Sequence, residues 1–260
     1  MPALQERLTM DASSPPPLCD EHALFLDFDG VLVDFAPRPD LVKMKSDVVD
    51  ALQAARRGLD GALAVVTGRN FEDIDRFVPL SLPGAGNHGR QLRMPGGFTQ
   101  PVQDAELDRE FEAIEAFVAG HPGTRSERKP GGVGVHYREA PHAEDDARAM
   151  MEALEAERDD LKLMRGKMIF ELKEAHVHKG LGVEKLMAVP PFAGRVPVFV
   201  GDDVTDEDGF RAVQERGGFG IKVGEGETVA HHRVPDLRTI HEWLKTYAAQ
   251  CRRARWRTVA

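Results

Sequence analysis

The chain is short of the features that would mark it as secreted, membrane-bound or nucleic-acid-binding. Its 260 residues hold two cysteines, Cys19 and Cys251, near opposite ends. That is too few for a disulfide framework, so a reducing cytoplasm is the expected compartment. No run of about 18 apolar residues occurs, and the N-terminus lacks a signal-peptide pattern, so no membrane association is expected. Cations are also in deficit: 34 Lys and Arg face 43 Asp and Glu, for a net charge of −9. This balance argues against general nucleic-acid affinity, although local lysines and arginines can still serve an anionic substrate in a pocket. The 42% hydrophobic and 30% charged content is that of an ordinary globular chain, with room for one large domain or two modest ones.

What is present centres on Ala23-Leu24-Phe25-Leu26-Asp27-Phe28-Asp29-Gly30-Val31. A short apolar run of this kind reads as a buried strand of a parallel sheet. Asp27 and Asp29 close it, and Gly30 turns the chain. Two carboxylates there either make an Asp-Gly turn or meet a metal or a lysine, since burial otherwise disfavours them. Before this strand, residues 1–20 contain Ser13-Ser14-Pro15-Pro16-Pro17 and read as a flexible leader. After it, a proline-containing loop to Asp40 precedes a helix spanning Leu41 to Ala55.

Ala62–Val66 is a second buried strand, ending in Thr67-Gly68-Arg69-Asn70 before a helix that stops at Pro79. Thr67 either caps that helix or donates to a phosphate oxygen at a strand-to-helix junction. Leu80–Gly86 reads as a third short strand, leading to Asn87-His88-Gly89. From residue 94 to residue 172 the pattern changes to helix, hairpin, helix, hairpin, the signature of a separate α+β domain. The parallel pattern resumes with a helix opening at His178-Lys179-Gly180. A strong strand at Val196–Val200 follows, running into Gly201-Asp202-Asp203-Val204-Thr205-Asp206-Glu207-Asp208. Phe210–Glu215 then reads as helix, Phe219–Val223 as strand and Leu237–Ala249 as a final helix. Residues 251–260 form a basic tail, read as a solvated end. The expected fold class is therefore α/β, with residues 21–93 and 173–250 as a Rossmann-like parallel-sheet core and an inserted domain at 94–172.

Ligands of open α/β sheets bind beyond the carboxyl ends of the strands. Asp27, Asp29, Thr67, Asp202, Asp203 and Asp206 all end strands here, and Lys179 opens a helix that can reach the same edge. Clustered carboxylates without a His or Cys set call for a hard cation, Mg²⁺ before Zn²⁺. Carboxylate, hydroxyl donor, lysine and Mg²⁺ together describe phosphoryl transfer to an aspartate nucleophile.

These motifs, in this order, resemble those of haloacid-dehalogenase-like phosphohydrolases: DFDGV, the Thr67 of VVTGR, the Lys179 of HKG, and GDDVTDED. A more particular resemblance, over about His22 to Leu244, is to the trehalose-6-phosphate phosphatase family. LDFDGVL, VVTGR, GNHG, ERK…VHYRE, FELK, HKG and PVFVGDDVTDEDGF carry it. The resemblance implies a core of the haloacid-dehalogenase type with an inserted substrate cap. It implies Asp27 as nucleophile, Asp29 as acid and then base, and Thr67 and Lys179 as holders of the phosphoryl oxygens. Asp27, the Asp29 carbonyl and Asp202 would hold Mg²⁺, Asp206 would orient metal-bound water, and Asp203 is grouped with these metal residues. Gly68, Arg69, Asn87, His88, Glu127, Lys129, His136, Arg138 and Glu171 would face a sugar-phosphate substrate, Asn87 and His88 either touching it or bracing their loop. Val31 stands where many relatives carry threonine, which removes one hydroxyl contact. A monomeric phosphatase acting on trehalose 6-phosphate is the expectation. The alternatives are a phosphatase for another sugar phosphate, such as sucrose 6-phosphate or mannosyl-3-phosphoglycerate, and a catalytically silent sensor. His231-His232 and Met150-Met151 read as surface and packing residues.

Overall fold

A computed structural model describes residues 15–35, 41–101, 106–129 and 131–258, with only the backbone described at 100–101 and 252–258. The chain divides into two compact units, Met1–Val102 with His178–Ala260, and Gln103–Val177. Among the described residues, no helix is long and apolar enough to cross a membrane.

The first unit is built on an eight-stranded sheet. In chain order it contains β1 (His22–Leu26), α1 (Ser46–Gly58), β2 (Leu63–Val66), α2 (Phe71–Phe77), β3 (Gly84–Gly86), β4 (Gln91–Arg93) and β5 (Thr99–Pro101). The second unit contributes α3 (Asp108–Gly120), β6 (Arg125–Lys129), β7 (Gly132–His136), α4 (Glu144–Ala156), β8 (Leu161–Gly166) and β9 (Ile169–Glu174). The first unit then resumes with α5 (Lys179–Met187), β10 (Val196–Gly201), α6 (Glu207–Gln214), β11 (Phe219–Val223), β12 (His232–Val234) and α7 (Leu237–Thr258). The sheet order is β12-β11-β10-β1-β2-β3-β4-β5. Strands from β12 to β3 run parallel, while β4 and β5 are antiparallel additions at the edge.

β1 sits at the centre because its side chains bury on both faces: Ala23, Leu24, Phe25 and Leu26 are all fully covered. Its register places Leu26 beside Val200 of β10 on one side and Val65 of β2 on the other. The residues just past these pairs, Asp27, Gly201 and Val66-Thr67, therefore emerge together at the carboxyl edge. The helix pairs α1 with α7 and α5 with α6 pack against each other and complete one continuous core.

Three boundaries differ from expectation. Residue 94 does not leave the core, because β4 and β5 extend the large sheet and the compact unit ends at Val102. The leader was expected to run to residue 20, but Leu18 is buried in the core cluster and the Trp243 indole donates to the Pro16 carbonyl at 2.8 Å. The part up to residue 14 lies outside the described residues, as do residues 36–40 of the loop. The final helix does not stop at Ala249, since nothing between there and Thr258 is a glycine or proline breaker.

The second unit is a four-stranded antiparallel sheet in the order β6-β7-β9-β8, with α3 and α4 on one face. Val133, Val135, Phe170 and Leu172 alternate toward the helices and bury with Ile114, Ala147 and Met151. The residues between them, including Glu127, Gly134 and Glu171 in one row, form the other face.

Candidate active site

Asp27 follows β1 directly, with its N–H donating to the Val200 carbonyl at 2.9 Å. It is 5% exposed, and its Oδ1 accepts from the Phe28 N–H at 2.7 Å. Its Oδ2 lies 2.9 Å from the ammonium of Lys179. That lysine is placed by the start of α5: His178 caps the helix, its Nδ1 accepting from the Leu181 N–H at 3.2 Å. Lys179 also donates to Asp206 Oδ1 at 2.6 Å, so it bridges two buried carboxylates.

Asp206 organises the loop after β10. Its Oδ2 accepts from the N–H groups of Asp202 and Asp203, at 2.9 and 3.0 Å. Asp203 in turn caps the short 3₁₀ turn Val204–Asp206 by accepting from the Thr205 N–H. The two thus form a capping box. The Asp202 carbonyl accepts from Lys222, a buried lysine of β11. Sequence reasoning did not single out Lys222, although a cation inside an apolar strand was a visible signal.

Oxygens of Asp27, Asp202 and Asp206 all lie within 4.8 Å of one another. Three carboxylates set against the Lys179 ammonium, with Lys222 beyond it on the Asp202 carbonyl, leave negative charge in excess, and the electrostatics reflect it. Burial, then Asp206 and Asp203, push the Asp202 carboxyl up to about 6. Burial likewise drives Asp27 upward, with Lys179 pulling the other way. Burial alone would lower the Lys179 ammonium, but Asp27 and Asp206 outweigh it and raise it. An all-oxygen, charge-deficient cluster of this type suits a hard divalent cation. Since Asp206 is engaged with Lys179 and the loop amides, Asp27 and Asp202 are the direct donors the cluster offers.

Gly30 makes this approach possible. It has φ of +71°, and a Cβ there would fall 2.2 Å from Asp202 Oδ2. Gly30→Ala is therefore expected to displace Asp202 and weaken divalent-cation binding at this cluster by at least about tenfold, as changes close around metal ligands do. Titration calorimetry with Mg²⁺ checks this, and unchanged affinity would separate Asp202 from the metal.

Thr67 is buried at the end of β2, its N–H bound to the Ala85 carbonyl and its Oγ1 accepting from the Arg69 N–H at 3.1 Å. Asn87 and His88 both adopt left-handed backbone, φ 48° and 56°, a strained pairing for non-glycine residues. They are held by N–H bonds to the Arg69 and Thr67 carbonyls, at 2.8 and 3.0 Å. The His88 ring lies against Gly68, where a Cβ would meet it at 2.6 Å. Asp29 points its carboxylate at Arg69, in contacts of 2.7 Å through Nε and Nη2.

In the second unit, four of the expected residues form one charged cluster on the helix-free sheet face. Glu127 Oε2 lies 2.8 Å from His136 Nε2 and 3.2 Å from Lys129 Nζ. Glu171 lies 3.7 Å from Lys129 and 3.4 Å from Lys173. The His136 contact, with Lys129 assisting, holds the Glu127 carboxyl below its ordinary range. Glu171 is 8% exposed and its Oε1 lacks a hydrogen-bond partner. Arg138 lies past the end of β7 in an exposed turn, outside this cluster.

Comparisons with known proteins agree on the family. Residues 25–239 match the family model described as trehalose-phosphatase. The trehalose-6-phosphate phosphatase of Escherichia coli (strain K12) is 34% identical over 241 residues, covering 92% of this chain and 91% of that protein. A probable trehalose-phosphate phosphatase of Sinorhizobium fredii is 39% identical over 208 residues, covering 79% of this chain and 78% of that protein. In fold, the structure of Aspergillus fumigatus trehalose-6-phosphate phosphatase superposes with a TM-score of 0.71 at 23% identity, over 88% of this chain and 92% of that one. On the family match and these identities, the chain belongs to the trehalose-phosphatase family.

Proposed function

We propose that this protein is a cytoplasmic, Mg²⁺-dependent phosphatase that converts trehalose 6-phosphate to trehalose and inorganic phosphate. The observation that carries the reading is the junction of buried Asp27, Lys179 and Asp206 with the partly exposed Asp202, the three acids offering carboxylate oxygens within 4.8 Å of one another. A sensor that only bound a sugar phosphate would have no use for an attacking carboxylate held beside a lysine.

Asp27, Asp202 and the Asp29 carbonyl would hold Mg²⁺, which when bound neutralises charge on the phosphoryl oxygens. Asp27 attacks phosphorus, and the bond from phosphorus to the sugar oxygen breaks. Asp29 gives that oxygen its proton and, in the second half, takes one from the water that attacks the aspartyl-phosphate. Phosphate leaves and the Asp27 carboxylate is restored. Lys179 and the Thr67 hydroxyl stabilise the phosphoryl oxygens throughout. Glu127, Lys129, His136 and Glu171 supply the donors and acceptors that sugar hydroxyls require, and Glu171 Oε1 is a buried acceptor without a hydrogen bond, met by the Lys173 ammonium at 3.4 Å.

The deciding experiment is phosphate release from a panel of sugar phosphates with and without Mg²⁺. Trehalose 6-phosphate is expected to turn over far faster than glucose 6-phosphate, sucrose 6-phosphate or mannosyl-3-phosphoglycerate. Comparable rates would remove the disaccharide claim, and binding without release would make the protein a sensor.

Proton and metal compete for Asp202. Its carboxyl, raised from 3.8 to about 6, contributes stability that is full below the unfolded value and lost as pH rises through about 6. A cation replaces that proton. Mg²⁺ is therefore expected to raise the melting temperature little near about pH 5 and clearly near about pH 8. An equal rise at both would exclude Asp202 as a ligand.

A further inference from the structure

Arg69 ties three loops of the first unit together. Its backbone N–H donates to Thr67 Oγ1 at 3.1 Å, and its carbonyl accepts from Asn87 at 2.8 Å. Its side chain reaches the loop after β1, where Nε and Nη2 meet the two oxygens of Asp29 at 2.7 Å each. This is the planar two-bond fork that arginine alone provides. The Arg69 side chain is 13% exposed, and its guanidinium carbon lies 5.3 and 5.4 Å from the ring centroids of Phe28 and Phe77. Two aromatic faces thus set its position before any substrate arrives.

The family resemblance places Arg69 among the substrate-binding residues. The geometry gives it other work. Two of its three nitrogens are directed at Asp29, so an anionic substrate would have to displace a carboxylate already held in the best available arrangement. Asp29, by contrast, has side-chain freedom to lose: it follows Phe28 on a loop, and its side chain is 30% exposed. A group that must deliver a proton to one oxygen and later take one from water needs a fixed direction.

We propose that Arg69 is a positioning residue for Asp29, aiming its carboxylate for both proton transfers, and that it does not bind the sugar phosphate. The proposal rests on the acid and base role assigned to Asp29 above.

The test is a double-mutant cycle with Asp29→Asn and Arg69→Met, read on trehalose 6-phosphate and on p-nitrophenyl phosphate. Arg69→Met is expected to lower kcat for trehalose 6-phosphate by about 10²-fold, the lower range of acid–base assistance, with KM within about twofold. Arg69→Lys, which keeps the charge without the fork, falls between. In the Asp29→Asn background, Arg69→Met adds less than about twofold. With the aryl phosphate the departing phenolate needs no proton. A stoichiometric burst of phenolate at near wild-type rate is expected, followed by slow turnover limited by the water step. The burst amplitude counts folded, competent sites, so a variant that misfolds is recognised by the amplitude it loses. A tenfold rise in KM at unchanged kcat, or full multiplicative losses in the double variant, would overturn the proposal and return Arg69 to substrate binding. Wild-type turnover by Asp29→Asn alone would overturn the acid–base reading itself, a result distinct from both.

Discussion

Asp27→Asn is expected to fold and to release phosphate at least about 10³ times more slowly than the native protein, the scale on which removing a nucleophile acts. The fold should survive because asparagine keeps the oxygen that accepts from the Phe28 N–H. Lys179 also retains Asp206 at 2.6 Å. The metal-free variant should even be as stable as the native protein or more so near neutral pH. Three carboxylates crowd around Lys179 in the native site, with Lys222 reaching the Asp202 carbonyl, and burial already drives the Asp27 carboxyl upward. Removing one negative charge relieves that crowding, the usual opposition between function and stability at an active site. Phosphate release and paired melting curves check both halves. A native rate would place the nucleophile elsewhere, and a marked fall in melting temperature without metal would show that the ionised carboxylate supports the fold.

The core of the site was legible because its residues terminate apolar strands. Asp27 after Leu24-Phe25-Leu26, Thr67 after Ala64-Val65-Val66 and Asp202 after Val198-Phe199-Val200-Gly201 each stand where an open sheet presents its ligands. What the sequence could not divide was the labour among the acids. Asp203 and Asp206 look alike in GDDVTDED, but one caps a turn while the other bridges a lysine and two backbone amides. Separating them requires the local turn geometry. The fork between Asp29 and Arg69 joins residues 40 apart in the chain, and periodicity carries no information about such a pair.

The fold shows the same division. β1, β2, β10 and β11 are runs of four to six largely apolar residues and were read directly. β4, β5 and β12 are three residues each, too short for alternation to register. Their pairing comes from neighbours: β4 folds back on β3, and β12 adds beside β11. α6 begins at Glu207, earlier than the apolar residues from Phe210 suggested, because its first turn is acidic and favourable at a helix N-terminus. In the second unit the reverse holds. Alternation in Val133–Arg138 and Met168–Leu172 was clear enough to place these strands, while Glu127 and Glu171 were singled out by the family resemblance and share a face through the pairing register.

The largest loss of stability is expected from Lys179→Met. The lysine is the ammonium between Asp27 and Asp206, and its side chain is 3% exposed against 7% and 0% for theirs. Methionine keeps most of the length and apolar stem, so packing changes little, and the energetic effect is electrostatic. Two buried carboxylates lose their shared cation, a change that costs about 3–5 kcal/mol when one partner of a buried pair is removed. For a chain of this size that corresponds to a fall in melting temperature on the order of 10 °C. The sign of the pH dependence identifies the cause. The Asp27 carboxyl, already raised by burial, rises further without the ammonium, so it favours folding while protonated and opposes it as pH climbs through its folded value. The deficit of Lys179→Met should therefore be large near about pH 8 and shrink toward about pH 4, and added Mg²⁺ should recover part of it at the higher pH. A deficit independent of pH would mean that the lysine stabilises through packing, and an unchanged melting temperature would mean that the two carboxylates do not share a buried charge at all.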